Sequence, residues 1–303
     1  MKSMTKRISV LLMVVCLLAT LVLPAAALTT SDIPTTEIIT TASGYTSASD
    51  VTYPSSGYIA NWGARGEVAK FISAKAADYY TSTYEELSAL AGSDDNTAKG
   101  TALYNALNTM AVSQQKTLTS YDGCRDLYKY TDCFLGDTAK LSLFYMSTLV
   151  DITWDRGTIY NREHTWPKSK LTNGSSNDGA DIMHIRPSDH DVNSSRGNTA
   201  YGESNGYVDP GVSVRGDVAR IVLYMYVRWG NENTLWGTSG VFESLDVLLK
   251  WIKADPVDTW ELARNDSVQS ITGTRNVFVD YPELAFILFG REVPAGLITP
   301  SAA

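Results

Sequence analysis

"YNREHTWPKS", residues 160–169, sets Arg162, Glu163 and His164 side by side and closes on Trp166 and Pro167. The chain has only three histidines, and the other two, His184 and His190, follow within 26 positions. They lie in a second stretch, "ADIMHIRPSDHDVNSSRGN" (180–198). There, Ile182, Ile185 and their neighbours read as a short buried strand ending at Pro187. Ser188 or Asp189 can cap the helix that follows, because a side-chain oxygen there satisfies free backbone N–H groups. That helix carries His190, Asn193 and Arg196. The loop between the stretches, "KSKLTNGSSNDGA" (168–180), is rich in Gly, Ser and Asn and belongs on the surface. The expected order is therefore strand, loop, strand, helix.

That order suits phosphodiester hydrolysis. A neutral imidazole, with an ordinary pKa of about 6.5, can take a proton from water. A carboxylate and an amide oxygen can hold a hard divalent cation that keeps open positions for phosphate oxygens. His164, Glu163 and Asn193 supply these groups. One geometric condition attaches. Neighbours on an ideal strand face opposite ways, so Glu163 and His164 serve one centre only if the chain bends there. A zinc hydrolase built on His164, His184 and His190 is the rival from the same residues. A non-catalytic cell-surface binding module is the second rival.

These stretches resemble the endonuclease I family of secreted or periplasmic nucleases. "NREHTWPKS" is similar to its Asn-Arg-Glu-His-x-Trp-Pro-x-Ser signature, and "DIMHIRPSDHDVNSSRGN" to its second block. Two later stretches are similar as well: "GDVARIVLYMYVRW" (216–229) and "KADPVDTWELARNDSVQSITGTRNVFVDYPEL" (253–284). The resemblance runs from about 100 to 290. It implies an α+β, mainly α, domain with a ββα-metal (His-Me finger) core surrounded by helices. It implies His164 as general base, with Glu163 and Asn193 holding one Mg2+ ion, or Mn2+ or Ca2+ in its place. The product would carry 5′-phosphate ends, with DNA as substrate and RNA as a second. An arginine that holds phosphate is also implied, with Arg186 and Arg196 as the candidates and Arg162 behind them. Asp181 and His184 are expected to buttress the site. Val277 departs from the pattern, which has proline there.

The rest of the chain sets the context. "MKSMTKRISVLLMVVCLLATLVLPAAA" has a basic start, an apolar run from Ile8 to Leu23 and an Ala-x-Ala end, which reads as a secretory signal peptide over 1–27. The protein is then expected outside the cell or in the periplasm, with no membrane attachment and no obligate protein partner. Residues 28–60 form a spacer, half Ser and Thr over 29–56. The nuclease domain is expected over 61–292, with a short tail at 293–303. Without 1–27, 22 basic residues face 33 acidic ones, a net charge of about −11. That excludes a protein that scavenges polyanions by bulk charge. Six basic residues, from Arg156 to Arg196, fall within 41 positions, so a local positive groove and salt-sensitive cleavage are expected. Cys124 and Cys133 are expected as a disulfide in an exported chain, with free thiols as the alternative. Helical spacing of apolar residues predicts helices over 66–80, 83–91, 101–117, 216–229, 243–255, 256–270 and 281–290. Pro256 is expected to open the sixth of these.

Overall fold

The computed structural model describes residues 79–134, 137–146, 148–230, 235–295 and 297. The expected signal sequence and spacer, the expected helical pattern of 66–78 and residues 298–303 lie outside the described residues.

The chain opens with α1 (Tyr84–Ser88), α2 (Ala102–Gln114) and α3 (Cys124–Thr131). An antiparallel three-stranded sheet follows, ordered β1 (Cys133–Phe134), β2 (Asp137–Ser142) and β3 (Leu149–Asp151). Next come β4 (Tyr160–His164), β5 (Ile185–Asp189) and α4 (His190–Arg196). The remaining helices are α5 (Arg215–Trp229), α6 (Leu245–Ala254), α7 (Thr259–Thr272), α8 (Val277–Asp280) and α9 (Glu283–Leu288). The described residues form an α+β fold that is mainly helical.

Local chemistry sets most boundaries. Asp189 ends β5 and caps α4, its Oδ1 accepting from the backbone of Asp191 at 2.9 Å and Val192 at 3.1 Å. Pro256 does not open α7. A reciprocal capping box between Asp258 and Glu261 starts that helix at Thr259 instead. Val277 is the first residue of α8, capped by Asn276. A proline would also be compatible with that position, so the departure from the family pattern leaves the backbone unchanged in kind.

The core is centred on α5, whose residues from Gly216 to Val227 are all buried. Helices α2, α6 and α8 pack around it. The sequence allows this because α6 turns Leu245, Leu248, Leu249, Trp251 and Ile252 inward. Burying each such side chain stabilises the fold by roughly 1.5–3 kcal/mol. Gly216 is where α5 meets the end of α6. A Cβ there would fall 2.1 Å from the Asp255 carbonyl oxygen, so no other residue fits without backbone movement. The charges drawn into this core are paired. Arg220 grips Glu261 through two bonds of 2.7 and 2.6 Å, and Arg275 bonds Asp280 at 2.7 Å.

The two cysteines are free thiols, both buried, which corrects the expected disulfide. Cys124 is the first residue of α3 and Cys133 the first of β1, two residues past the end of that helix. The helix between them separates them by roughly 10 Å at 1.5 Å per residue, beyond the reach of a disulfide. Burial pushes the Cys124 thiol up to about 12.

Candidate active site

β4 and β5 pair antiparallel over five residues, from Tyr160 opposite Asp189 to His164 opposite Ile185. The ladder is straight through His164, so adjacent side chains leave β4 on opposite faces. Asn161 and Glu163 face α4. Arg162 and His164 face the other way.

On the α4 face, Glu163 is 2% exposed. Its Oε1 meets Arg196 Nη1 at 3.0 Å and accepts a hydrogen bond from the Tyr145 hydroxyl. The Tyr201 hydroxyl lies 2.6 Å from that of Tyr145. Burial raises the Glu163 carboxyl above its ordinary pKa, against the opposing pull of Arg196 and Tyr145. Arg196 also donates to the backbone carbonyls of His164, at 2.9 Å, and Thr165, at 3.0 Å, and stacks on Tyr201. It therefore ties α4 to the end of β4. One turn earlier in α4, Asn193 donates through Nδ2 to Asn161 Oδ1 at 2.5 Å and to the Arg162 carbonyl at 3.3 Å. This turns its amide oxygen away from those two acceptors.

On the opposite face, His164 is 6% exposed. Its ring stacks on Tyr121, with centroids 5.1 Å apart, and its Nε2 lies 3.1 Å from the Gly179 carbonyl. A carbonyl only accepts, so the neutral ring carries its proton on Nε2 and its lone pair on Nδ1. Burial depresses the imidazole to about 4, with the Gly179 contact opposing and Lys168 adding to the shift. His184 is packed 5.5 Å from His164, ring to ring, and its Nε2 is 2.7 Å from the Asp178 carbonyl. Arg162 covers the outer face of Tyr121 at 3.8 Å, with Lys168 at 5.5 Å.

The model for the family described as Endonuclease I matches residues 96–283, more than half of the chain and all of the elements just described. This chain belongs to the Endonuclease I family. It is 35% identical to an extracellular ribonuclease of Bacillus amyloliquefaciens, across 61% of this chain and 73% of that protein. It is 34% identical to an extracellular ribonuclease of Bacillus subtilis (strain 168), across 71% of this chain and 81% of that one. As an Endonuclease I chain it is a nucleic-acid hydrolase, which removes the non-catalytic binding module from consideration. Among the described residues, no helix is long and apolar enough to cross a membrane.

The geometry sorts the sequence candidates of this Endonuclease I chain. Glu163, Asn193 and Arg196 share the α4 face, whereas His164 lies behind the strand with His184. The bend that would put Glu163 and His164 on one side is absent. Arg186 is turned inward: its Nε bonds Asp132 at 2.7 Å, and Arg264 shares the same carboxylate at 3.1 Å. Arg264 also ties the start of β5 to α7 through the carbonyls of Ile182, at 2.7 Å, and Met183, at 3.1 Å. Asp181 accepts from Tyr224 and Trp229, both at 2.9 Å, and so anchors the loop beneath β5 to α5. The three histidines do not form a zinc site. His190 is exposed at the start of α4, with its Nδ1 on Asp191 at 3.0 Å. No group of three or more His, Cys, Asp or Glu side chains that could hold a metal occurs among the described residues.

The expected positive groove is also redistributed. Arg186 and Arg196 are interior, and the Lys170 ammonium reaches the Gly240 carbonyl. Arg162 and Lys168 gather around Tyr121, with Arg125 of α3 next to Trp154. Sequence reading missed Tyr121, Tyr145, Tyr201 and Asp132. None carries a motif, and the three tyrosines look like any other half-apolar residue of a core stripe.

Proposed function

We propose that this protein is a secreted, metal-dependent, non-specific endonuclease with a His-Me finger core. It cleaves DNA and RNA to leave 5′-phosphate ends. The observation that carries the reading is the β4–β5–α4 unit: it sets a carboxylate and an amide on one strand face, next in sequence to an imidazole kept neutral. The extracellular ribonucleases similar to this chain support RNA as a substrate, and with the signal-like N-terminus they support export.

Glu163 and Asn193 fit a hard divalent cation. Both offer oxygen donors from the same side of β4, and the Asn193 amide is already turned with its nitrogen on protein acceptors. Mg2+ bound there, or Mn2+ or Ca2+, would offset the charge that builds on the phosphate and on the departing 3′-oxygen. Arg196 steadies the Glu163 carboxylate and ties it to the end of β4. His164 takes the proton of the attacking water at Nδ1, while Gly179 holds its Nε2 proton in place. Arg186 serves as a structural guanidinium, and the exposed Lys168, beside the half-buried Arg162 that is paired with Asp122 at 2.7 Å, draws the polyanion towards the His164 face. For both faces to act on one phosphate, the substrate must reach around the end of β4, where Thr165 leaves the strand.

The test is cleavage of plasmid DNA and of RNA by the purified protein, with Mg2+ or with a chelator. Metal-dependent cutting of both is expected, to 5′-phosphate ends, and a His164→Ala protein that cuts at the parental rate would overturn the assignment of the base.

A further inference from the structure

A cavity of about 370 Å3 opens beside the Glu163 cluster, between α4 and the loop that precedes α5. Its lining includes Tyr145, Val192, Val208 and Pro210 together with Asp191 and Asp209. The volume is within the roughly 300–1,000 Å3 range of pockets that take small organic ligands. It belongs to the active-site region, because Tyr145 and Arg196 both line it and both touch Glu163. The loop that closes it is fixed. Val208 N bonds the Ala200 carbonyl at 2.9 Å, and Asp209 receives Gly211 N at 3.0 Å and Arg215 Nε at 2.9 Å.

We propose that this cavity receives the unpaired nucleobase next to the scissile phosphate. The proposal rests on the nuclease reading of the same site. Charge decides which part of a nucleotide enters. The one cation lining the cavity is Arg196, already engaged by Glu163 and by the carbonyls of His164 and Thr165. With the Asp191 carboxylate on the lining and Asp209 already paired with Arg215, the cavity offers a phosphate no uncommitted cation. A neutral, flat, mostly apolar base is accepted, since Tyr145 and the aliphatic walls bury its faces. The exposed Asp191 carboxylate can accept from a base amino or ring N–H. A base can enter only after leaving its stack, and that costs least in a single strand. This protein therefore selects unpaired polynucleotide, whether RNA or DNA.

The experiment compares the full-length wild type with Val192→Trp, which fills the cavity and leaves Glu163, His164, Asn193 and Arg196 unsubstituted. Three substrates are used: a labelled single-stranded oligonucleotide, the same sequence as a duplex, and bis(p-nitrophenyl) phosphate, which has no base. The wild type is expected to cut the single strand about tenfold or more faster than the duplex. Val192→Trp is expected to lose about tenfold or more in kcat/KM on the single strand, with hydrolysis of bis(p-nitrophenyl) phosphate unchanged. Equal single-strand cutting by both proteins overturns the base pocket and leaves the nuclease reading intact. A wild type that hydrolyses none of the three overturns both. If Val192→Trp fails to fold, the wild type is given single strands carrying an abasic position at each site around the cut. Slower cleavage at one adjacent position supports the pocket, and uniform cleavage overturns it.

Discussion

The two faces of β4 solve opposite electrostatic problems one residue apart. On the α4 face, Glu163 is kept among a guanidinium and two phenols, which supply the hydrogen bonds a buried carboxylate has lost from water. On the other face, His164 is packed against Tyr121 and His184, where burial favours the uncharged ring. Strand alternation is what separates them. An acidic and a basic group that are neighbours in sequence can thus be given different environments without any gap in the chain. Arg196 links the two neighbours from the α4 face, bonding the Glu163 carboxylate and the His164 backbone carbonyl.

The hardest test of this contrast removes the imidazole. His164→Ala is expected to lower kcat/KM by roughly 10²–10⁴-fold, with the thermal transition little changed; steady-state cleavage and calorimetry read the two quantities. Next, Arg196→Met should strand a buried carboxylate and cost about 3–5 kcal/mol of stability, measured by urea unfolding. Adding Glu163→Gln to that variant should recover part of the loss, because the stranded charge is then gone. No recovery would mean that Arg196 acts mainly through the His164 and Thr165 carbonyls.

Tyr145→Phe is a milder change, expected to cost about 1.5–3 kcal/mol as a bond to a charged group. It should leave the His164 titration where it is. The smallest effect concerns pH. With His164 at about 4, the neutral base persists well below pH 6.5, so the acid limb of kcat/KM should fall near pH 4. The folded state binds fewer protons than the unfolded one between about 6.5 and 4, so this group makes stability fall as pH drops through that window. Tyr121→Ala opens the ring to water and should move the acid limb upward towards 6.5. An unmoved limb would show that the stack does not set the imidazole's environment.

The β4–β5–α4 order was legible because its signals are local. A capping aspartate, an apolar run ending near proline and a surface loop all lie within 40 residues. The helices α2, α5, α6 and α9 were legible from periodicity, for the same reason. The partition of Glu163 and His164 was not. It depends on whether the strand stays straight, and that is decided by Ile185 pairing with His164 from another segment. Tyr145 and Tyr201 come from 18 positions before and 38 positions after Glu163, and no spacing rule links them to it. The disulfide expectation failed because it rested on export and cysteine number alone, whereas most of the eight positions between the cysteines belong to the rigid helix α3. Arg186 and Arg196 were read as surface cations for want of any local sign that Asp132 and Glu163 would draw them inside.

The all-round burial of α5 has a consequence for engineering. A helix with no side facing solvent cannot persist once its neighbours are cut away, and its backbone amides should exchange with deuterium only through whole-domain opening. Asp181 joins that helix to the floor of β5 through Tyr224 and Trp229. The strand-and-helix unit proposed to carry the chemistry therefore cannot be excised as a miniature enzyme; it stands or melts with the bundle behind it.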